Sequence, residues 1–401
     1  LSEFYNFEEL TVRLNDLRSG VDEMTDSQLA EGGSRTLEAM GNSNNTISAV
    51  GVHVEDLKDS DLYRQGHPGR VALVDVEGVR THLHVPLVKD GVAFGNITLS
   101  RKEPKPFSED EIALVESFAA QAVIAIGGGA VVDAGKAIAA LTPATRPMLD
   151  HLEVVGKGLP LDVAPLPFAA LPSTAGTGAE VTKNAVIAVP EAHRKVSLRD
   201  PRMLPSLAIV APALPDHCPR RVTLASGLDA ITQVIEPYIS SRANPLTDAI
   251  CRDAIPKGLI AIQRIMAGED PDARDALAWV SLCGGLALAN SGLGVVHGLA
   301  GPLGGLSTAA HGAICGALLP HGLRANAQAG DDPVLATRIA EVQGWIAQAF
   351  GGAPEDAFDT LHAWSRTAGL PGLDAQGITD AARAKAAKDA ASSSSMKANR
   401  V

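Results

Sequence analysis

The run Ala122–Ala137, AVIAIGGGAVVDAGKA, constrains this chain more than any other. A short apolar, β-branched stretch leads into three consecutive glycines, and a helix-forming segment carrying Asp133 and Lys136 follows. Glycines at a strand-to-helix turn let the backbone come close to a phosphate without a Cβ in the way. The helix behind them presents free N–H groups and the positive end of its dipole. The run reads as a dinucleotide-phosphate turn, although taken alone the same glycines also fit an ordinary loop. A domain of that kind needs further strand–helix units ahead of the turn, and what precedes it here is of a different character.

Length and charge narrow the classes. With 401 residues the chain can hold two or three domains with substantial cores. A hydrophobic share of 46% and a mean hydropathy of +0.10 indicate a compact protein. A net charge of −12, no basic tract and only 3% aromatic residues argue against a nucleic-acid partner. Cys218, Cys251, Cys283 and Cys315 form no CxxC pair, so free thiols in a reducing cytoplasm are expected. No apolar run reaches the ~18 residues of a membrane span and no signal peptide is visible, so no membrane partner is expected. The first residue is Leu1 rather than Met, which fits a processed or partial sequence.

Three compositional blocks follow one another. In the first, to about Ile126, the alternating runs Thr81–Pro86 and Val92–Leu99 predict antiparallel strands joined at Lys89–Gly91, KDG. Ser108 followed three residues later by Glu111 predicts a capping box and a helix through IALVESFAAQAVIAI. The second block, Gly127 to about Pro190, alternates helix and strand: a helix to Leu141, an irregular Pro-rich stretch, then a strand Phe168–Leu171 entering PSTAGTGAEVT. The third, from about Ala211 to Val401, is Ala/Leu-rich with helical periodicity, and Pro256 inside an apparent helix predicts a kink or break.

Candidate chemistry lies in these blocks. Ser173, Thr174 and Thr182 are small hydroxyl donors around glycines, suited to phosphate and ribose contacts. Lys195 could neutralise a phosphate or be a solvated surface lysine. Asp229 and Gln233 in GLDAITQVIEPY are four apart and share a helix face. His297 and His311 are fourteen residues apart, each followed by glycine. One carboxylate and two imidazoles make an adequate N/O set for Fe(II) or Zn(II), though each histidine alone also fits a satisfied core residue.

In order and spacing, GGGAVVDAGKA, PSTAGTGAEVT, GLDAITQVIEPYISSRANPLTDA, GLGVVHGLAGPLGG…HGAICGALLPH and SSSSMKANR resemble the iron-containing (group III) alcohol dehydrogenase family, including its maleylacetate-reductase-like members. The resemblance covers about Val123–Val401. It implies an NAD(P)-dependent dehydrogenase with a nucleotide domain, a helical domain and a divalent metal, Fe or Zn, in the cleft between them. Gly127, Gly128, Gly129 and Asp133 then match the pyrophosphate positions, and Ser173, Thr174, Thr182 and Lys195 the second set of cofactor contacts. Asp229, His297 and His311 match three of the four metal ligands and carry the catalysis. The chain departs from the family in four ways. Gln233 stands where the fourth ligand is histidine, and Gly301 where many members have a further histidine. The chain also stops just after MKANR, where the family continues into another helix. Finally, the family's first strand–helix units, which hold the adenosine half of the cofactor, are replaced.

Residues Val52–Ile126, with VPLVKDG…GNITLSR and PFSEDEIALVESFAAQAVIAI, resemble the C-terminal part of a GAF domain, a class of small-molecule sensors and dimerisation modules. Two readings meet at Val123–Ile126: the end of the sensor helix, or the strand feeding the glycine turn. The expected outcome is a helix ending near Gln121 and a short strand after it. The fold class expected is α/β plus all-α. It comprises a partial GAF-like α/β segment over 1–126, an incomplete Rossmann-like nucleotide domain over 127–210 and a helical metal and substrate domain over 211–401. The expected activity is hydride transfer on a small alcohol or ketone with NAD(P) and a divalent metal in a cytoplasmic homodimer, impaired by the lost adenosine half. The alternative is GAF-type sensing or dimerisation beside an inert dehydrogenase remnant, and a gene-fusion product is a third possibility.

Overall fold

The computed structural model describes residues 9–14 and 51–400, apart from 77, 90, 91, 193, 217, 330, 331 and 392. The chain divides into two compact units, Leu1–Ala122 and Val123–Val401.

The first unit holds an antiparallel sheet of β1 (Glu9–Leu14), β2 (Val52–Val54), β3 (Thr81–Lys89) and β4 (Val92–Arg101), in the order β1-β4-β3-β2. The alternation of THLHVP puts Leu83 and Val85 in the interior, directly opposite Leu99 and Ile97. His82 and His84 fall on the other face, their Nδ1 atoms 3.3 Å from the Ser100 hydroxyl and 3.4 Å from the Thr98 hydroxyl. Asp90 and Gly91 of the expected hairpin turn lie outside the described residues. The helix α1 runs Glu109–Gln121. Its capping box is reciprocal: the Glu111 N–H donates to Ser108 Oγ at 3.2 Å, and the Ser108 N–H donates to Glu111 Oε2 at 2.8 Å.

The helix does end at Gln121, and the strand β5 (Val123–Gly127) follows. β5 pairs in parallel along its whole length with β6 (Phe168–Pro172), from Val123↔Phe168 to Gly127↔Pro172. That pairing binds Val123–Ile126 to residues downstream, so the boundary between the units falls before Val123 rather than after Ile126. The segments 127–210 and 211–401 both fall in this second unit.

In this second unit α2 (Gly129–Leu141) crosses from β5 to β6, and β9 (Leu207–Ala208) completes a parallel sheet in the order β5-β6-β9. The strands β7 (Asn184–Val189) and β8 (Arg194–Arg199) form a separate antiparallel pair. Among the described residues eight α-helices follow, of which five build or support the site: α3 (Arg220–Ile239), α4 (Pro245–Ala267), α5 (Pro271–Ser291), α6 (Val295–Gly305) and α7 (His311–Gln328). α3 is buried on every side from Gly227 to Ile239, the signature of a central helix. Leu228, Ile231 and Ile235 on it pack with Ile255, Leu259 and Leu277 of its neighbours.

Pro256 does not break α4, which is continuous from Pro245 to Ala267. Proline removes one N–H and frees the carbonyl four residues earlier. Here that residue is Arg252 on the exposed side, where the carbonyl can turn to solvent. Among the described residues no single helix is long and apolar enough to cross a membrane.

Candidate metal and cofactor site

Asp229 sits in the buried middle of α3 with 2% of its surface exposed. A carboxylate taken this far from water has to be paired or to coordinate something. The two histidines meet it there. His297 Nε2 lies 3.4 Å from Asp229 Oδ1, and His311 Nε2 lies 3.9 Å from the same oxygen. The imidazole centroids are 5.5 Å apart. Asp229 Oδ1 and His297 Nε2 are both buried without a hydrogen-bond partner. His311 is the open member, its side chain 38% exposed. It begins α7, and the glycine after it is what lets that first turn lie on α3. A Cβ at Gly312 would stand 2.4 Å from the Ala225 carbonyl oxygen.

The position of His297 is set by residues distant in sequence. Its helix, α6, starts after Gly294 with no side chain of its own to cap it. Glu236 of α3 takes that role, accepting from the Val296 N–H at 2.6 Å and the His297 N–H at 3.4 Å. Asn399, from the MKANR motif, accepts from the Val295 N–H at 3.3 Å. Glu236 Oε2 also lies 2.6 Å from His297 Nδ1. Against a carboxylate that nitrogen carries a proton, which leaves Nε2 as the ring nitrogen facing Asp229 and His311, the one a cation would occupy in place of a second proton. This is the carboxylate–histidine arrangement that orients metal-binding imidazoles.

The electrostatics agree with a cation site. Burial works to lower the His297 pKa, but Cys315 and the carboxylates of Asp229 and Glu236 outweigh it, and the imidazole binds its proton well above the ordinary range. Burial raises Asp229, yet the neighbouring imidazoles, His311 foremost, hold its carboxyl below the usual value. Burial lowers His311. Cys315, one turn beyond His311, also reaches the cluster, its Sγ 3.6 Å from His311 Nε2.

Gln233 shares the face of Asp229 but is otherwise engaged: its amide N–H donates to the Thr177 carbonyl at 2.6 Å. Around Gly301 there is open space, where a Cβ would meet nothing within 4 Å.

The glycine turn lies beside the second glycine-rich segment. The Ser173 N–H donates to the Gly127 carbonyl at 2.9 Å, and a Cβ on Gly129 would stand 2.5 Å from Thr177 Oγ1. Only glycine permits that approach, and it leaves the first turn of α2 with no side-chain cap at Gly128. Ser173 and Thr174 are half-buried at this junction. Thr177 therefore touches both the α2 turn and Gln233 of α3, joining the glycine turn to the metal-candidate cluster.

The other expected cofactor residues are differently employed. Asp133 accepts from the Val186 N–H at 3.0 Å and pairs with Lys136 at 3.1 Å. Thr182 Oγ1 accepts from Lys136 Nζ at 3.1 Å and donates to the Ala179 carbonyl at 3.2 Å. Lys195 is exposed on β8, with its Nζ against Gly304 of α6, and its charge acts on His311.

Two residues of the cluster were not singled out from the sequence. Glu236 is seven residues after Asp229, two turns along the same face, and Cys315 is four after His311. The helical spacing that paired Asp229 with Gln233 would have found both.

Comparison with known proteins places the chain. Residues 90–212 match the model of iron-containing alcohol dehydrogenase, and 223–400 that of the Fe-containing alcohol dehydrogenase family, C-terminal. Residues 14–126 match the GAF domain. "Alcohol dehydrogenase 4" of Saccharomyces cerevisiae is 36% identical over 255 residues, which are 62% of this chain and 63% of that protein. Lactaldehyde reductase of Escherichia coli is 34% identical, over 66% of this chain and 68% of its own length. The chain thus spans just under two thirds of the yeast relative's length and slightly more than two thirds of the bacterial one's. Among solved structures, 1,3-propanediol oxidoreductase superposes with a TM-score of 0.60 at 30% identity, covering 74% of this chain and 78% of its own. The NAD+ complex of sulfoacetaldehyde reductase from Bifidobacterium kashiwanohense does so at 0.59 and 26%, covering 69% and 71%.

Proposed function

Because the chain belongs to the iron-containing alcohol dehydrogenase family, with a GAF domain at its N-terminal end, we propose that it interconverts a small alcohol and its carbonyl compound with NAD(P) and a divalent metal. The metal would be held by Asp229, His297 and His311, and the dinucleotide phosphates by the Gly127–Gly129 turn with Ser173 and Thr174. One observation carries this reading: two orphaned donor atoms, Asp229 Oδ1 and His297 Nε2, face each other at 3.4 Å in a buried site with His311 beside them. Three N/O donors of this kind suit Zn or Fe, and the buried lone pairs have no other use.

A bound cation there would supply Lewis acidity toward a hydroxyl or carbonyl oxygen, and a nicotinamide would supply the hydride carrier. This chain's own residues do the positioning. Glu236 keeps the proton on His297 Nδ1 and so directs Nε2 inward. Asp229 provides the negative charge that offsets a cation. His311 forms the half-exposed wall through which a small substrate would enter. The uncapped first turn of α2 offers N–H groups to a phosphate. Lys195, exposed on the side of His311, adds positive charge for an anionic group.

We assign Asp133 and Thr182 a supporting part within this reading, because Val186, Lys136 and Ala179 already engage their polar groups. We infer weakened cofactor affinity because the family's sequence motifs begin only at GGGAVVDAGKA, after the part that holds the adenosine. Titration of NADH into the purified chain, followed by its oxidation with small aldehydes and ketones, tests the reading. Saturable binding, with turnover abolished by His311→Ala and Asp229→Asn, is the expected result. If NADH does not bind at millimolar concentration, the reading fails and the GAF unit becomes the working part.

A further inference from the structure

The family's fourth metal-binding position is glutamine here: the Gln233 amide N–H is spent on the Thr177 carbonyl, and its amide oxygen is a poor ligand for Zn or Fe. A different side chain reaches the cluster. The donor atoms of Asp229, His297, His311 and Cys315 all lie within 4.8 Å of one another. Cys315 is fully buried, and its Sγ is aimed at the polar cluster rather than only at the apolar side chains of α6 and α7. Buried cysteines are often just small hydrophobes. This one differs in its company, because it shares its space with an aspartate oxygen and an imidazole nitrogen that have no other partner.

Three of the six donor separations lie near the edges of a tetrahedron, and all six are within 4.8 Å. With Zn–S of about 2.3 Å and Zn–N or Zn–O of about 2.1 Å, the edges of a tetrahedral site are about 3.6 Å from sulfur to nitrogen and about 3.4 Å between the lighter donors. The corresponding separations here are 3.6 Å from Cys315 Sγ to His311 Nε2, 3.4 Å from His297 Nε2 to Asp229 Oδ1, and 3.9 Å from His311 Nε2 to Asp229 Oδ1. Helix geometry supplies the pairing: Cys315 is one turn after His311 on α7, so both side chains leave the same face toward α3.

We propose that Cys315 is the fourth protein ligand, replacing the absent imidazole and turning the site into an Asp–His–His–Cys set that selects a borderline-soft cation such as Zn2+. The proposal rests on the metal reading above, with a substrate oxygen taking a fifth position. Coordination replaces the S–H bond by a metal–thiolate bond, and the proton leaves to solvent, with no change of oxidation state. A thiolate beside two imidazoles favours Zn2+ over Mg2+ or Mn2+, which prefer oxygen.

Cobalt substitution tests this without relying on activity. The purified chain, stripped with chelator, is titrated with Co2+ and its absorption recorded. The expected spectrum combines the visible bands of a tetrahedral ion with a near-ultraviolet thiolate-to-cobalt charge-transfer band. Cys315→Ser keeps the visible bands, loses the charge-transfer band and weakens Zn2+ binding at least about tenfold, as even outer-sphere partners do. Co2+ bound by the wild type without that band, or a band that survives Cys315→Ser, overturns the proposal while leaving the metal reading intact. No binding of Co2+ or Zn2+ at all overturns both. Should Cys315→Ser not fold, X-ray absorption of the Zn2+-loaded wild type decides: one sulfur at about 2.3 Å among N/O ligands is expected. A shell of N/O scatterers alone refutes the sulfur ligand.

Discussion

Two buried charges on neighbouring parts of one unit have opposite surroundings. Lys136 on α2 has no exposed side-chain surface, and every donor it carries is used. It pairs with Asp133, donates to Thr182 Oγ1 and reaches the carbonyls of Ala179, Thr182 and Asn184. Asp229 on α3 is just as deep, yet one of its oxygens faces an imidazole nitrogen with neither making a hydrogen bond. A buried ion with a complete set of partners tells of structure, because it fastens α2 to the segment after β6. A buried ion with an unused lone pair beside another unused lone pair points to something that binds between them. The glycine turn is neither kind: it carries no side-chain charge, and what it offers outward is backbone.

Three substitutions would break or sharpen this contrast. Lys136→Met should cost the most stability. It strands Asp133 and three carbonyls in the interior, and the loss expected on removing one member of a buried pair is about 3–5 kcal/mol. Urea denaturation followed by circular dichroism measures it. A loss below about 1 kcal/mol, the median of exposed pairs, would mean that Lys136 is not a clamp at all. Glu236→Gln should act the other way, weakening Zn2+ or Co2+ binding by about 10–100-fold while the unfolding midpoint of the metal-free chain moves little. An unchanged affinity in isothermal titration would remove Glu236 as the residue that orients His297.

The smallest effect belongs to Asp162, in the loop between α2 and β6. The Thr145 hydroxyl, then the N–H groups of Thr145 at 3.0 Å and Arg146 at 3.1 Å, hold its carboxyl down at about 2. Its folded pKa lies below the ordinary unfolded value of about 3.9, so its contribution is complete above about pH 5 and is lost as pH falls toward the folded value. The gap in urea midpoint between wild type and Asp162→Asn should therefore be widest at pH 6 and shrink at pH 3. A gap that widens toward pH 3 would reverse the sign and exclude the assignment.

Much of this was legible beforehand where the signal is local. The Ser108–Glu111 capping box, the alternation of β3 and the end of α1 at Gln121 depend on residues within a turn or two of one another, and period and capping chemistry report them directly. Other features depend on distant partners. Pro256 promised a kink or break in α4, and the helix is continuous, its freed carbonyl on the solvent side. Lys136 engages both Asp133 and Thr182, and the Val186 N–H of β7, fifty-three residues on, engages Asp133, which no local spacing reports. Glu236 and Cys315 were overlooked, although each repeats the helical spacing of a residue already chosen.

By itself the sequence determined the membership and the parts: ordered motifs from GGGAVVDAGKA to SSSSMKANR name the dehydrogenase family, and the run from VPLVKDG to the α1 helix names the GAF domain. Only the tertiary structure decided which donors share a site and which are consumed elsewhere. Spacing along a helix tells which side chains leave one face, but whether a buried lone pair is answered depends on what other helices bring to within hydrogen-bonding distance. Here Glu236 answers Nδ1 of His297, nothing answers Nε2, and Cys315 comes close enough to complete the set.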